Sequence, residues 1–242
     1  MSESLFAKGT FRLVAIALAC GTLSALFIPS AAYRSEARPD AAAVLTGTAQ
    51  IIDGDTLAID GERIRLHGID APEAGQTCPG QGNATWDCGT AATEQLRKLA
   101  RGVITCEARE RDTYGRLIAT CFSGARNINA EMVRQGYAWA FVKYSRDYVA
   151  QQQQSQIERT GIWAASETAV APWDYRKQRW LNADAAAPNG CMIKGNISRS
   201  GHIYHVPWSP WYDKVRISPE RGERWFCNEE EAIAAGFRPA RG

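Results

Sequence analysis

The stretch IIDGDTLAIDGERIRLHGIDAPE, residues 51–73, decides the fold. Apolar side chains alternate with polar ones on both sides of Asp60-Gly61, a dipeptide typical of tight hairpin turns. We therefore predict two antiparallel strands here, the second over residues 62–69. An earlier strand over residues 44–52 leads into the stretch, and Asp53-Gly54-Asp55 forms the turn that follows it.

The second of these strands places a constraint on the backbone. Ile64 and Leu66 lie on one face of the strand, so Arg65 lies on the other. Asp70 follows Arg65 by five positions, and strict alternation would put these two side chains on opposite faces. If both serve one site, the strand must bend between them, and Gly68 is where we expect the bend.

The chain up to residue 161 continues as short strands and helices. We predict further strands over residues 103–109 and 117–122, and helices over residues 91–101, 127–135 and 147–159. Five short strands with interspersed helices fit the small, partly open barrel called the OB-fold, which commonly presents a nucleic-acid-binding face. The predicted fold class is therefore mainly β with helices, built on a five-stranded OB-fold barrel.

Three clusters of charged residues lie along this predicted barrel. They offer carboxylates for a hard cation, which prefers carboxylate and carbonyl oxygens, a carboxylate that can take a proton from water, and guanidinium forks that neutralise a pentacoordinate phosphate. This set suits hydrolysis of a phosphodiester better than most other reactions. The clusters are Asp53-Gly54-Asp55-Thr56, Arg65 with Asp70-Ala71-Pro72-Glu73, and Asp112-Thr113-Tyr114-Gly115-Arg116.

These clusters resemble the staphylococcal nuclease (thermonuclease) family. The resemblance rests on residues 51–57, 64–73, 112–116 and 132–138, in the right order and with every charged active-site position filled. It extends from about residue 45 to residue 163, and it implies the OB-fold together with a calcium-dependent phosphodiesterase activity.

The resemblance also implies a calcium site. Asp55 and Asp70 would bind the ion through their side chains, and Ala71 through its backbone carbonyl. The family usually has threonine at position 71, and alanine keeps the carbonyl but lacks the hydroxyl. Asp53 and Asp112 either support this metal site or merely form turns.

Catalytic and substrate-binding roles follow from the same resemblance. Glu73 would act as the general base or orient the attacking water, while Arg65 and Arg116 would hold the scissile phosphate. We assign Tyr114 and Tyr144 to substrate binding.

Aromatic residues cluster around Tyr144. Trp139, Phe141 and Tyr144 could together form a platform on which nucleobases stack. The alternative is that Trp139 packs in the core and Tyr144 alone reaches the ligand.

Composition limits the class of function. The 28 Lys and Arg residues nearly balance the 26 Asp and Glu residues, for a net charge of +2. The strongly basic footprint of a tight, non-specific DNA-coating protein is therefore absent. A nuclease is less affected, because an active site needs local charge rather than a global field.

The N-terminal segment has the pattern of an export signal. Lys8 and Arg12 precede an apolar run over residues 13–28, and small residues follow up to residue 32. We predict a signal peptide or an uncleaved membrane anchor over residues 1–32, followed by a linker over residues 33–43. The rest of the chain would then be periplasmic or secreted, or held at the inner membrane by the anchor.

The cysteines agree with export. Of the seven, Cys20 belongs to the N-terminal apolar run, and an even number in an oxidising compartment indicates disulfides. Six cysteines allow fifteen pairings, and free thiols are the alternative. The neighbouring pairs, which we take as the disulfide candidates, are Cys78 with Cys88, Cys106 with Cys121, and Cys191 with Cys227.

The chain also predicts a second, smaller domain. We assign residues 44–167 to the thermonuclease-like OB-fold domain, residues 168–188 to a linker, and residues 189–242 to a small C-terminal module. Within the linker, Trp173-Asp174-Tyr175-Arg176 could fold back onto the barrel. A module of this size usually needs a staple. The staple would be the Cys191–Cys227 disulfide or, alternatively, a zinc ion bound by these cysteines with His202 and His205.

The leading hypothesis is an exported, calcium-dependent endonuclease that hydrolyses phosphodiester bonds of DNA and RNA. Sequence specificity should be low, because the predicted groups contact phosphate rather than base edges. The family resemblance implies 3′-phosphate products. The alternative is a non-catalytic OB-fold module that binds nucleic acid or protein in the cell envelope. We expect a monomer.

Overall fold

The structure is a computed structural model that describes residues 43–82, 84–183 and 187–240. All of them belong to one of the two structural units of the chain, Asp40–Gly242. The predicted signal peptide or anchor over residues 1–32, and the linker up to residue 42, lie outside the described residues. Among the residues described, no helix is both long and apolar enough to span a bilayer.

The described chain consists of short strands and five α-helices. The strands are β1 Val44–Thr48, β2 Gln50–Ile51, β3 Thr56–Ile59, β4 Glu62–Leu66, β5 Ile69–Asp70, β6 Thr77–Pro79, β7 Thr85–Asp87, β8 Val103–Arg111, β9 Leu117–Ser123, β10 Arg126–Asn127, β11 Trp139–Ala140, β12 Ile193–Ser198, β13 Gly201–His205, β14 Arg224–Phe226 and β15 Arg238–Pro239. The helices are α1 Cys88–Leu99, α2 Ile128–Arg134, α3 Val149–Glu158, α4 Pro172–Leu181 and α5 Glu229–Ala234.

The largest sheet has the strand order β1-β8-β9-β4-β3-β2, with β10 paired to β9. Its pairs are antiparallel except β4 and β9, which run parallel. The strand predicted over residues 44–52 is divided between β1, which pairs with β8, and β2, which pairs with β3. This change of partner curls the sheet, and the predicted class, a mainly β OB-type fold with helices, is confirmed.

Apolar side chains of the sheet and of helices α1 and α2 form the main core. Strand β3 is buried on both faces, and its sequence after Thr56 is an apolar run rather than an alternating pattern. The largest fully buried members of this core are Leu57, Ile59, Ile64, Leu66, Ile69, Leu96, Ile104, Ile128 and Met132.

The backbone bends at the glycine that the sequence indicated. Strand β4 ends at Leu66, Gly68 has a φ of +72°, and β5 begins at Ile69. A positive φ favours glycine over residues that carry a Cβ. Strand β5 leaves the large sheet and pairs with β11, with Asp70 opposite Trp139. The bend thus turns Asp70 back toward the face of Arg65.

All three predicted disulfides are present. Cys106 and Cys121 lie opposite each other on β8 and β9, and Cys78 of β6 is joined to Cys88, the first residue of α1. The Cys191–Cys227 disulfide uses both cysteines of the alternative zinc site, which is therefore wrong. His202 instead packs against Phe237, with ring centroids 4.9 Å apart.

The C-terminal residues form their own four-stranded sheet, in the order β14-β12-β13-β15. Its core comprises Ile193, Tyr204, Phe226, Ala232 and Phe237. The preceding segment, predicted as a linker over residues 168–188, contains helix α4. Pro172 occupies the first position of that helix, where its fixed φ is compatible with helix and its missing N–H is not needed.

The small core predicts a strong dependence on its disulfide. Replacing both Cys191 and Cys227 by serine is expected to lower the free energy of unfolding of the module by about 2–4 kcal/mol, because the bridge closes a loop with a sequence separation of 36. Hydrogen exchange of peptides from β12 to β15 would measure the loss. A matched Cys106→Ser, Cys121→Ser variant should change exchange in β8 and β9 instead, and unaltered exchange in the module would contradict the prediction.

Candidate active site

The three charged clusters meet in one cleft. Its volume is about 1280 Å³, and its lining comes from the barrel, from α4 and from the C-terminal module. Parallel pairing of β4 with β9 sets Leu117 beside Ile64, so Arg116 lies next to the strand that carries Arg65. The sheet topology therefore brings together Arg65 and Arg116, which are 51 positions apart in sequence.

Asp55 is the buried hub of the cleft floor. Its Oδ1 accepts hydrogen bonds from the Thr56 hydroxyl and from Arg65 Nη1, both at 3.0 Å, and its Oδ2 accepts one from the backbone N–H of Ala71 at 3.1 Å. Burial works against ionisation of Asp55, but the charge of Arg65 and the Ala71 N–H outweigh it. The pKa of Asp55 consequently lies below its usual value.

Asp70 is fully buried and shares Arg65 with Asp55. Arg65 Nη2 donates to Asp70 Oδ1 at 2.8 Å, so one guanidinium bridges the two predicted metal ligands. This contact depends on the bend at Gly68, which places Arg65 and Asp70 on the same side despite their odd spacing.

Asp53 shapes the turn that presents Asp55. Its Oδ1 accepts a hydrogen bond from the Asp55 backbone N–H at 3.0 Å, the geometry of an Asx turn. Burial, followed by the neighbouring Asp55 carboxylate, raises the pKa of Asp53 to about 6. In this structure Asp53 therefore acts as a turn former.

Glu73 lies at the edge of the same floor and contacts an arginine that the sequence did not assign to the site. Arg176 Nη1 donates to Glu73 Oε1. Burial raises the pKa of Glu73 to about 8, although Arg176 opposes the shift. The Glu73 backbone is held by the buried Gln76, whose Oε1 accepts the Glu73 N–H at 3.0 Å. A Cβ at Gly89 would lie 1.9 Å from the Glu73 carbonyl oxygen, so α1 approaches this segment only because residue 89 is glycine.

Arg176 also contacts Asp70. Its Nη2 donates to Asp70 Oδ2 at 2.7 Å and its Nη1 to Asp70 Oδ1 at 3.2 Å. Arg176 belongs to residues 173–176, which the sequence suggested could fold back onto the barrel. No sequence pattern connects Arg176 with Asp70, 106 positions earlier. Its position on α4 is decided by tertiary packing alone.

Arg116 is oriented by the third cluster. Asp112 Oδ1 accepts from the backbone N–H groups of Tyr114 and Arg116 at 3.0 and 2.9 Å, and its Oδ2 accepts from Arg116 Nε at 2.7 Å. The Arg116 guanidinium also lies 5.3 Å from the centre of the Tyr114 ring. Asp112 therefore forms the turn and aims the arginine, and both Tyr114 and Arg116 line the cleft.

The aromatic cluster separates into a buried part and an exposed part. Trp139 is buried and packs edge-on against Trp163 and Trp173, while Phe141 stacks on Trp173 with centroids 5.4 Å apart. Tyr144 is 69% exposed and lines the cleft. This arrangement matches the alternative in which Trp139 belongs to the core and Tyr144 reaches toward a ligand.

The C-terminal module contributes to the cleft wall, which sequence reasoning did not predict. Tyr204 donates through its hydroxyl to Glu229 Oε2 at 2.7 Å, and both residues line the cleft. Burial raises the pKa of Glu229, while Arg116 and Arg63 oppose the shift. The charges of module and barrel are therefore close enough to influence each other.

The donor chemistry of the floor fits a hard divalent cation. Asp55 and Asp70 supply carboxylate oxygens and Ala71 a carbonyl, which are the ligands such an ion prefers. Two arginines contact the carboxylates of the floor: Arg65 pairs with Asp55 and Asp70, and Arg176 pairs with Asp70 and Glu73. In the conformation described, those oxygens are held by guanidinium groups, and no group of three potential metal-binding side chains converges on one point within the described ranges.

Comparison with known proteins supports the resemblance to the staphylococcal nuclease family. A family model described as Staphylococcal nuclease homologue matches residues 63–165, and one described as ArfC matches residues 178–239. The succinoglycan biosynthesis protein ExoI of Rhizobium meliloti (strain 1021) is 36% identical over 132 residues, 52% of this chain and 68% of the relative. An uncharacterized endonuclease of Escherichia coli is 31% identical over 138 residues, 54% of this chain and 83% of the relative.

A third relative carries the nuclease name itself. The micrococcal nuclease of Shigella flexneri is 31% identical over 146 residues, which cover 53% of this chain and 78% of that protein. Together with the curled sheet and the residues gathered on its floor, these similarities show that the chain belongs to the staphylococcal nuclease family and carries an ArfC module at its C-terminal end.

Proposed function

We propose that the protein is an exported, calcium-dependent endonuclease that hydrolyses phosphodiester bonds of DNA and RNA with little sequence specificity and leaves 3′-phosphate ends. The observation that supports it most directly is the meeting of Asp55, Arg65 and Glu73 in one cleft, with the buried Asp70 hydrogen-bonded to Arg65. Arg116, the half-buried Tyr114 and the exposed Tyr144 line its walls. Family membership supports the nuclease activity itself.

The chain's own residues divide the chemistry between them. Glu73 in its ionised form takes a proton from the attacking water. Because burial raises the pKa of Glu73 to about 8, cleavage should increase as the pH rises through that value. Arg65 and Arg116 stabilise the charge that develops on the phosphate oxygens. Tyr114 and Tyr144 provide faces on which nucleobases stack without reading their edges. Asp55, Asp70 and the Ala71 carbonyl would hold the calcium ion, which supplies positive charge beside the phosphate when bound.

Export and a monomeric state are part of the same proposal. Three disulfides in the described chain fit an oxidising compartment, such as the periplasm or the exterior. Residues 1–32 would direct the export or remain as an anchor in the inner membrane. Residues 44–167 would form the nuclease domain and residues 189–242 the appended module.

The proposal predicts a requirement for calcium. Purified protein should cleave single-stranded DNA and RNA in calcium and lose that activity in chelator, because Asp55 and Asp70 would then lack the charge that offsets the phosphate. Restoring calcium after chelation is the control for irreversible damage. Cleavage that persists in chelator would contradict the cation requirement. A folded protein that binds but does not cleave under either condition would favour the non-catalytic binding module.

A further inference from the structure

Arg176 contacts the acidic floor from outside the segment that matches the nuclease family. That match ends at residue 165, whereas Arg176 lies on α4, Pro172–Leu181. It makes two hydrogen bonds to Asp70 and one to Glu73, and its side chain is only 23% exposed. A guanidinium that meets one carboxylate with both terminal nitrogens is the bidentate arrangement that gives the strongest ion pairs.

Asp70 has little acceptor capacity left beside these contacts. Its Oδ1 accepts from Arg65 Nη2 and from Arg176 Nη1, and its Oδ2 accepts from Arg176 Nη2. Three of the about four acceptor positions of an ionised carboxylate are therefore engaged. A hard cation seeks direct oxygen ligands, so it must take acceptor positions that Arg176 now fills.

Charge makes the conflict stronger. A divalent ion bound by Asp70 would lie within a few ångströms of the Arg176 guanidinium, in a partly buried site where like charges repel more strongly than in water. Simultaneous full contact of both with Asp70 is therefore unfavourable. Arg65 competes less for Asp70, because it donates one hydrogen bond to that carboxylate whereas Arg176 donates two.

The position of Arg176 is built into the packing of α4. Trp173, one turn earlier, stacks on Phe141 of the barrel with the rings 4° from parallel. Arg179, three residues later, donates to the Pro207 carbonyl at 3.0 Å and pairs with Asp213 at 3.0 Å, both in the C-terminal module. The helix is thus held from both sides, and Arg176 faces the carboxylates from its centre.

We propose that Arg176 is an active-site residue supplied from outside the nuclease domain, which holds Asp70 and Glu73 in the absence of a divalent cation and competes with that cation for Asp70. The inference rests on the proposed cation requirement. Because coupling between two ligands is reciprocal, calcium weakens the contact of α4 with the floor to the same degree as Arg176 weakens calcium binding.

Calcium affinity measured by isothermal titration calorimetry tests the competition. Arg176→Gln removes the competing charge and should bind calcium about 10- to 100-fold more tightly than the wild type, the usual range of coupling between sites. Arg176→Lys keeps a positive charge but loses the bidentate fork, and should fall between the two. The control is Lys98→Gln, which removes a positive charge from the exposed face of α1, outside the lining of the cleft, and should leave the affinity near that of the wild type.

The outcomes separate this inference from the function on which it rests. Wild-type binding that is too weak to measure, with measurable binding by Arg176→Gln, is the extreme form of the expected result. Equal affinity in wild type and in both Arg176 variants, all melting cooperatively, would overturn the competition. If cleavage still requires calcium in that case, the proposed function stands without it. If neither the wild type nor the Arg176 variants bind calcium and the wild type cleaves in chelator, the cation requirement and the competition are both wrong.

Discussion

Glu73→Gln is expected to lower turnover by about 10²- to 10⁴-fold, the usual contribution of a general base. The amide has nearly the same shape as the carboxyl, and its oxygen can still accept the hydrogen bond that Arg176 now donates to Glu73. It cannot take a proton from water at neutral pH. The backbone contact to Gln76 does not involve the exchanged group, so the cleft should keep its structure.

Initial rates at saturating calcium, together with calorimetric calcium binding, would measure this effect. Calcium binding should be largely retained, because the predicted ligands are Asp55, Asp70 and the Ala71 carbonyl. Glu94→Gln makes the same change on the exposed face of α1 and should leave turnover as it is. A Glu73 variant that no longer binds calcium would instead identify Glu73 as a ligand, and one with wild-type turnover would exclude it from the reaction.

Arg116→Ala is expected to lower turnover by about 10²- to 10³-fold, as does the loss of one donor that stabilises charge in a transition state. The fold should tolerate the change. Asp112 Oδ1 binds the backbone N–H groups of Tyr114 and Arg116, so the turn does not depend on the arginine side chain. What is lost is a guanidinium that Asp112 aims into the cleft through Nε.

Rates for Arg116→Ala, Arg116→Lys and the control Arg109→Ala would test the assignment. Lysine keeps the charge without the fork, so it should restore only part of the lost turnover. Arg109 lies on β8 and pairs at the surface with Asp147, and its removal should have little effect on rate. Wild-type turnover in Arg116→Ala would defeat the role assigned to this residue.

The C-terminal module, together with α4, forms one wall of the cleft. In a bare barrel the floor that carries Asp55 and Glu73 would open directly to solvent, whereas here α4 and residues such as Tyr204 and Glu229 form a facing wall. A substrate in this cleft would therefore meet groups of opposite charge, the arginines of the barrel and Glu229 at the start of α5. The competition proposed for Arg176 is one consequence of that wall.

Features that depend on neighbours in sequence were predictable. The bend at Gly68 followed from the mismatch between strand alternation and the spacing of Arg65 and Asp70, and the structure places it there. The disulfide pairs followed from proximity along the chain and an even number of cysteines. The helix ends were less certain, and α1 begins at Cys88 rather than residue 91 because the Asp87 side chain caps it at the Thr90 N–H.

Contacts between distant segments were not predictable from these patterns. A single residue on a polar helix such as α4 carries no periodic signal that identifies its partner. Arg176 contacts Asp70 only because Trp173 packs α4 against the barrel and Arg179 binds it to the C-terminal module. The same holds for Glu229, whose proximity to the barrel arginines follows from the docking of the module.

By itself the sequence determined which carboxylates and arginines lie together, since local turns and the alternation of β4 place these candidate catalytic residues on adjoining elements of one barrel. It also determined the three disulfides, because the paired cysteines lie close along the chain. Only the tertiary structure decided which arginines contact those carboxylates, Arg176 above all. That choice depends on the packing of α4 between barrel and module, a long-range arrangement whose energy comes from burial and stacking rather than from any local pattern.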